Sequence, residues 1–405
     1  MYFRLLLIGY FEGIDSERGI AWRVADSLTL REFLGYGLSS ALPDHSTLSR
    51  NRRLIDLESH REVFTWVLRV LAKRGLLKGK TLGVDSTTLE ANAALRSIVR
   101  RDSGESYEEF LSRLAVASGI ATPTRQDLAK IDKNRRGKGS NDDWQHPQDP
   151  DAKITKMKDG RTHLAHKAEH AVDMETGAVV GVRVDSAIAG DTQTVGDLVE
   201  EVIDNLGKVV DDPEADQHLS DELTAELVAD KGYHSNAVLR SLRELGIRSY
   251  ISEPKRGRRK WKGKDAERDA TYANRRRMAR AKGQELQRRR GELIERGFAH
   301  CYVTGRMRRT HLRHHSNILK RVLIHVAGFN LGLAMRQEIG VGTPRGLQGH
   351  SAAVFAGSWR PLAAWNDLSR LLMRKVRFFL SNHSALPQLL SVDLHRSNAA
   401  FATGC

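Results

Sequence analysis

Residues 80–95 read KTLGVDSTTLEANAAL and residues 226–235 read ELVADKGYHS; in each, a short apolar run, LGV or LVA, is followed by an aspartate and turn-forming residues. Apolar runs of this length, bounded by turn chemistry, predict short buried strands. Asp85 and Asp230 are therefore both expected at the carboxyl end of a buried strand, which is the edge where ligands bind in open α/β sheets. Two carboxylates brought together there repel and call for a cation. A hard divalent ion such as Mg²⁺ suits them, because it takes oxygen ligands and bridges protein carboxylates to phosphate. Taken singly, each aspartate is equally well read as a cap on the turn that follows it.

Outward from these two segments, the pattern is that of strands and helices in alternation. SNAVLRSLRELG (235–246) predicts a helix capped by Ser235 and stopped by Gly246, and IRSYISEP (247–254) a further strand. Upstream, HLAHKAEHAVDMETGAVVGVRVDSA (163–187) predicts a hairpin around the turn Met174–Gly177, and TVGDLVEEVIDNLGKVV (194–210) a helix with apolar residues at helical spacing. The polar stretch from about 100 to 160 reads as an insertion carrying helices at SYEEFLSRLAVAS and TRQDLAKIDKNR. The order strand, insertion, hairpin, helix, strand, helix, strand, helix predicts a mixed α/β core around one sheet, spanning residues 79–335.

Residues 1–78 read as an α-helical region. In it Pro43, Asp44 and Ser46 predict the cap of a helix presenting Arg50, Arg52 and Arg53, either as part of a helix-turn-helix or as a basic helix of an ordinary bundle. Residues 336–405 read as a loop, GTPRGLQGHSAAVFAGS, followed by an amphipathic helix, RPLAAWNDLSRLLMRKVRFFL.

The formal net charge is +15, which points to a polyanionic partner. From Glu253 to Arg321 there are 23 Lys or Arg against 7 Asp or Glu, so this stretch alone supplies the surplus. Such concentration suggests a groove that meets phosphates, with Arg256, Arg258, Arg259, Lys260 and Lys262 in one run and Arg306, Arg308 and Arg309 in another. Trp261, inside the first run, reads equally as a base-stacking aromatic or a packing anchor. Lys231 or His234 could add a phosphate contact beside Asp230. The histidines of the hairpin, His163, His166 and His170, read as members of a half-exposed polar strand rather than as metal ligands. Two cysteines, Cys301 and Cys405, are too few for a disulfide framework or a thiolate zinc site and fit a reducing compartment. With no run of about 18 apolar residues, the expectation is a cytoplasmic, nucleoid-associated protein without a membrane segment.

A third acid has to come from the helix after the last strand, where QELQRRRGELIERGFA offers Glu285, Glu292 and Glu295. At about 100° per residue, Leu286, Leu293, Ile294 and Phe298 form an apolar arc, and Glu295 falls about 60° beyond its Phe298 edge, with Glu292 farther round. A carboxylate serving the sheet edge belongs at that border, which favours Glu295. A surface glutamate paired with a neighbouring arginine is the plain alternative.

GVDSTTLEAN, ADKGYHSN and LIERGF, together with PDHSTLSR near the start and the late NILKRVLIHVAGFNLGL, resemble bacterial insertion-sequence transposases of the DDE type over most of the chain. The resemblance implies an RNase H-like catalytic core whose three acids, serving both as catalytic residues and as metal ligands, map onto Asp85 in VDST, Asp230 in ADKGY and Glu295 in IERGF. It implies two Mg²⁺ ions per site, with Mn²⁺ as a substitute, DNA substrates comprising transposon ends and target, and a homodimer on DNA. Two metals about 3.5–4 Å apart activate a water, or later a DNA 3′-hydroxyl, and stabilise the leaving oxygen of an in-line displacement. Asp85 would bridge both ions, with Asp230 and Glu295 completing one each. One departure stands out: Tyr302 occupies the position, seven after the glutamate, where relatives often carry a basic residue, so that Arg306 or Arg308 would have to serve instead. A DNA-binding protein derived from such an enzyme but lacking activity, and a nuclease that cuts without joining, are the competing readings.

Overall fold

Val84 and Ala229, the residues immediately before the two aspartates, pair side by side on adjacent parallel strands, and the rest of the core is built around that pair. The computed structural model describes residues 1–348 apart from 136–138, 158, 159, 256 and 258. The expected C-terminal amphipathic helix, most of the loop before it, and Cys405 lie outside the described residues, as do Arg256 and Arg258.

The sheet runs β6-β5-β1-β7-β8, from β1 (Thr81–Glu90), β5 (Thr162–Asp173), β6 (Val179–Ser186), β7 (Glu226–Ala229) and β8 (Arg248–Ile251). β5 is antiparallel to both β1 and β6, while β7 and β8 are parallel to β1. This mixed sheet, with helices packed on it, is the α/β arrangement that the sequence order predicts, and it agrees with the RNase H-like core that the resemblance implies. Three further short strands, β2 (Val99–Arg100), β3 (Trp144–Gln145) and β4 (Lys153–Lys156), go beyond the expected set. β4 extends the β5 edge and β2 pairs with β3 inside the insertion.

The insertion carries both of its expected helices, α6 (Tyr107–Ala117) and α7 (Arg125–Asn134), each opened by a capping box at Ser106 or Thr124. It has its own apolar cluster of Ile98, Phe110, Leu111 and Trp144 reaching Leu164 of β5 and Ala91, just past the end of β1. The N-terminal helices are α1 (Tyr2–Phe11), α2 (Glu17–Ala25), α3 (Leu28–Leu34), α4 (His45–Leu54) and α5 (Leu57–Lys73). α4 starts at the expected cap, with the Asp44 carboxylate accepting the Thr47 N–H at 2.8 Å. Of its arginines, Arg50 and Arg53 are exposed, whereas Arg52 is ion-paired to Glu17 on α2 at 2.8 Å.

The remaining helices are α8 (Asp191–Val210), α9 (Pro213–Asp216), α10 (Asn236–Glu244), α11 (Asp265–Met278), α12 (Ala281–Phe298), α13 (His315–Ile339) and α14 (Pro344–Gln348). α13 is long and apolar enough to cross a membrane by length and composition, but most of that stretch is buried inside the protein. It packs on α1, α5 and β6. Its Asn330 accepts the Val179 N–H at 2.9 Å and donates to the Val179 carbonyl at 2.8 Å, satisfying the free edge of β6. At Gly328 a Cβ would come within 2.7 Å of the Tyr10 ring, so glycine is what lets α1 and α13 approach this closely. The described residues accordingly form one compact unit.

Candidate active site

Asp85 is not the last residue of its strand: β1 runs on to Glu90, paired with β5 as far as Ala165. The polar run after Asp85 continues the strand because the long β5 supplies backbone partners for each residue. β7 does stop at Ala229, so Asp230 stands at a true strand end, next to Asp85 in the parallel register. Asp230 caps its own turn, accepting the Gly232 N–H at 2.8 Å, while Asp85 accepts the Ser86 N–H at 2.8 Å. Burial pushes the Asp85 carboxyl above the usual carboxylate range, Arg290 and the Ser86 N–H draw it back, and the neighbouring Asp230 adds to the rise. The capping reading and the paired-acid reading of the two aspartates are thus compatible in one geometry.

α12 crosses β1 at Gly83, where a Cβ would meet Arg290 Cγ at 3.3 Å and Ile294 Cδ1 at 3.4 Å. The helix face turned to the sheet includes polar residues that the apolar arc leaves out. Gln287 donates to the carbonyls of Ala229 and Tyr250 at 2.8 and 2.7 Å, and Arg290 Nη1 pairs with Asp85 Oδ2 at 2.7 Å. The arc also differs at Leu286, which is only half-buried. Glu295 follows Ile294 and is exposed, and its side chain makes no ion pair or hydrogen bond among the described residues. Glu292 points elsewhere: it lines a recess with Glu175 and Thr176, at the β5–β6 turn, and lies 4.0 Å from Arg296. That turn adjoins Thr81, the opposite end of β1 from Glu90.

The structure therefore brings Asp85 and Asp230 together and leaves Glu295 outside a closed cluster. Among the described residues, the one group of three metal-type ligands within 4.8 Å of one another is Asp149, Asp151 and His314. Its acids cap α13, accepting the N–H groups of His314 and His315 at 3.1 Å each.

On the other face of β1 lies a network that sequence reasoning misses. Buried Lys167 contacts Glu169 Oε1 at 2.8 Å, Asp191 Oδ1 at 2.7 Å and Thr194 Oγ1 at 3.0 Å. Tyr233 donates to Glu169 at 2.9 Å and Ser86 to Asp191 at 3.2 Å. The only sequence signal is the alternation within HLAHKAEH, which reads as a half-exposed strand. β5 is instead buried almost throughout, because β1 and β6 flank it and helices cover it. His166 and His170 are buried, and burial holds His170 down at about 3, hence neutral, with its Nε2 2.7 Å from the Tyr302 hydroxyl. Tyr302, in the position expected to be basic, is thus a core residue.

Of the expected phosphate contacts, Arg308 donates to Thr87 on β1 at 3.0 Å, Arg309 lies 3.7 Å from Glu90, and both are exposed, as are Arg306 and Lys231. Thr87 is two residues beyond Asp85 and so shares its face of the strand. Lys260 and Lys262 are exposed. Arg259 is engaged internally: it pairs with Glu253, donates to Asn236 at 2.6 Å and stacks over Trp261 with 5.6 Å to the ring centroid. Trp261 is half-buried beside Tyr272, a packing role.

Comparison with known families gives two matches. A transposase domain (DUF772) matches residues 1–54, and a transposase DDE domain matches residues 139–331, a span that includes Asp230 and Glu295 but begins after Asp85. No curated protein and no solved structure matches the chain. The two family matches support what the motifs implied, a chain of the insertion-sequence DDE transposase kind, whose family acts on DNA and typically uses a divalent metal.

Proposed function

We propose that this transposase-family chain cuts DNA at the ends of an insertion sequence and joins them to a target, using Asp85, Asp230 and Glu295 as metal ligands. The observation that carries the proposal is the Asp85–Asp230 pair, two carboxylates on adjacent parallel strands at one sheet edge. Their hard oxygen donors and mutual repulsion fit a divalent cation such as Mg²⁺ or Mn²⁺. When bound, such ions activate the attacking oxygen and stabilise the leaving one. Asp85 would hold two ions in common, and Asp230 one.

Glu295 would be the remaining ligand, as the IERGF motif implies, because it borders the arc of Leu293, Ile294 and Phe298, of which Ile294 packs on Gly83 of β1, whereas Glu292 is turned to the β5–β6 turn. Lys231, Arg306, Arg308 and Arg309, exposed near the carboxyl ends of β1 and β7, would hold backbone phosphates and orient the scissile bond. Arg308 takes the place of the basic residue that Tyr302 replaces. Lys260 and Lys262 extend the track, and α4 offers Arg50 and Arg53 to a second stretch of duplex. A homodimer would hold two ends, in the cytoplasm at the nucleoid.

Incubating the protein with Mg²⁺ and DNA carrying the element's ends tests this. Cut and joined products are expected. Cutting without joining would indicate a nuclease, and retention of DNA without cutting would indicate a binder.

A further inference from the structure

Two residues next to the candidate ligands, Ser86 after Asp85 and Tyr233 three after Asp230, are tied to one buried ammonium. Lys167 Nζ, whose side chain is 5% exposed, reaches Ser86 through Asp191 and Tyr233 through Glu169. Its other partners are Thr194 Oγ1 at 3.0 Å and the Ala189 carbonyl at 3.3 Å. The second loop is gripped twice, since a Cβ on Gly232 would come within 2.5 Å of Asp191 Oδ2 and 3.0 Å of Asp230 Oδ1. Glycine is what lets the Asp191 carboxylate lie against the backbone that follows Asp230.

A buried cation between two carboxylates is not an efficient way to stabilise a core, because an apolar replacement of like volume is often as stable. What directional bonds add is a fixed geometry, as partners behind metal ligands commonly do. We propose that Lys167 is a positioning residue: through Asp191 and Glu169 it sets the separation of Asp85 and Asp230, and so the affinity of that pair for a divalent cation. This rests on the reading of Asp85 and Asp230 as metal ligands.

Charge alone predicts the opposite sign. Deleting a nearby cation should tighten the binding of a metal ion, whereas losing a geometric clamp should weaken it. The probe is Mn²⁺ alone, titrated by calorimetry into the full-length protein without DNA, with circular dichroism checking the fold of each variant. Lys167→Met is expected to weaken Mn²⁺ binding by about 10-fold or more, the usual effect of removing a partner behind the ligands. Tyr233→Phe removes one hydroxyl and no charge, and is expected to weaken it by about two- to tenfold, the equivalent of one hydrogen bond.

Wild-type affinity or tighter binding in folded Lys167→Met overturns the proposal. Should Lys167→Met fail to fold, Tyr233→Phe decides, and unchanged affinity there overturns it. Asp85→Asn separates the two readings. If wild type binds no Mn²⁺, or Asp85→Asn binds it unchanged, both fall. If binding is lost in Asp85→Asn but unmoved in Lys167→Met and Tyr233→Phe, this one alone falls.

Discussion

The α8 side of β1 buries Lys167 between Glu169 and Asp191, with Thr194 and the Ala189 carbonyl completing its shell of partners, whereas the α12 side sets Arg290 against Asp85 and the Val84 carbonyl. Arg290 touches Asp85 directly and Lys167 reaches the residues beside Asp85 and Asp230 only through Asp191 and Glu169, and the two cations differ in what can displace them. Lys167 is enclosed, and moving it would leave the buried Glu169 and the half-buried Asp191 without their cation, so its bonds are set when the chain folds. Arg290 holds Asp85 by one terminal nitrogen beside a carboxylate that is 29% exposed, within reach of an incoming ion. Under the proposed function, one side of the strand would be scaffold and the other the place where metal and DNA exchange for a protein cation.

If that division holds, the strongest departure from it is expected on the α12 side, at the third acid. Glu295→Gln should slow end cleavage in Mg²⁺ on the order of 10²-fold, the loss of a few kcal/mol of transition-state stabilisation. Glu292→Gln, already exposed beside Arg296, should leave the rate within about twofold, as surface pairs contribute little. Comparable losses in both variants, measured as single-turnover cleavage, would move the third ligand off Glu295.

Arg290 gives the next largest effect, and with a sign opposite to that of Lys167. Arg290→Met frees Asp85 Oδ2 and should tighten Mn²⁺ binding about tenfold, the scale of one hydrogen bond to a charged group. Weaker binding in calorimetry would make Arg290 part of the scaffold too, and the comparison between the two sides would collapse.

A smaller effect is expected from the exposed cations. Neutralising Arg308 and Arg309 together should weaken binding to unrelated duplexes alike and reduce the slope of log affinity against log salt by about 0.9 for each phosphate that the protein no longer neutralises. Arg259→Gln, engaged with Glu253 and Asn236, should barely change that slope. An equal drop from Arg259 would mean that its internal pairing gives way to DNA.

The sheet is legible in the sequence because LGV and LVA are too short and too apolar for anything but buried strands, and the Met174–Gly177 turn marks its own hairpin. The helix phase on α12 is legible only in part. Ile294 does meet the sheet, but Gln287 and Arg290 share that face by bonding strand-end carbonyls and Asp85, which an apolar arc cannot register. HLAHKAEH misleads for a related reason. Alternation of polar residues predicts an exposed face, yet here His166, Lys167, Glu169 and His170 are all buried, each with a partner outside the alternating run. Pairing across 17 to 132 residues leaves no local pattern to read. Asp191, at the first turn of α8, has the look of an ordinary acid at a helix start.

In the proposed function, Asp85 and Asp230 hold the metal that cuts DNA. Single-turnover cleavage of end-containing DNA in Mg²⁺, run for wild type, Asp85→Asn and Asp230→Asn beside a DNA-retention assay, tests it most directly. Both variants should cut on the order of 10³-fold more slowly or not at all, because a lost ligand removes several kcal/mol of metal-derived stabilisation. They should retain DNA nearly as wild type does, since the phosphate-binding side chains are other residues. Either variant cutting at the wild-type rate would contradict the assignment.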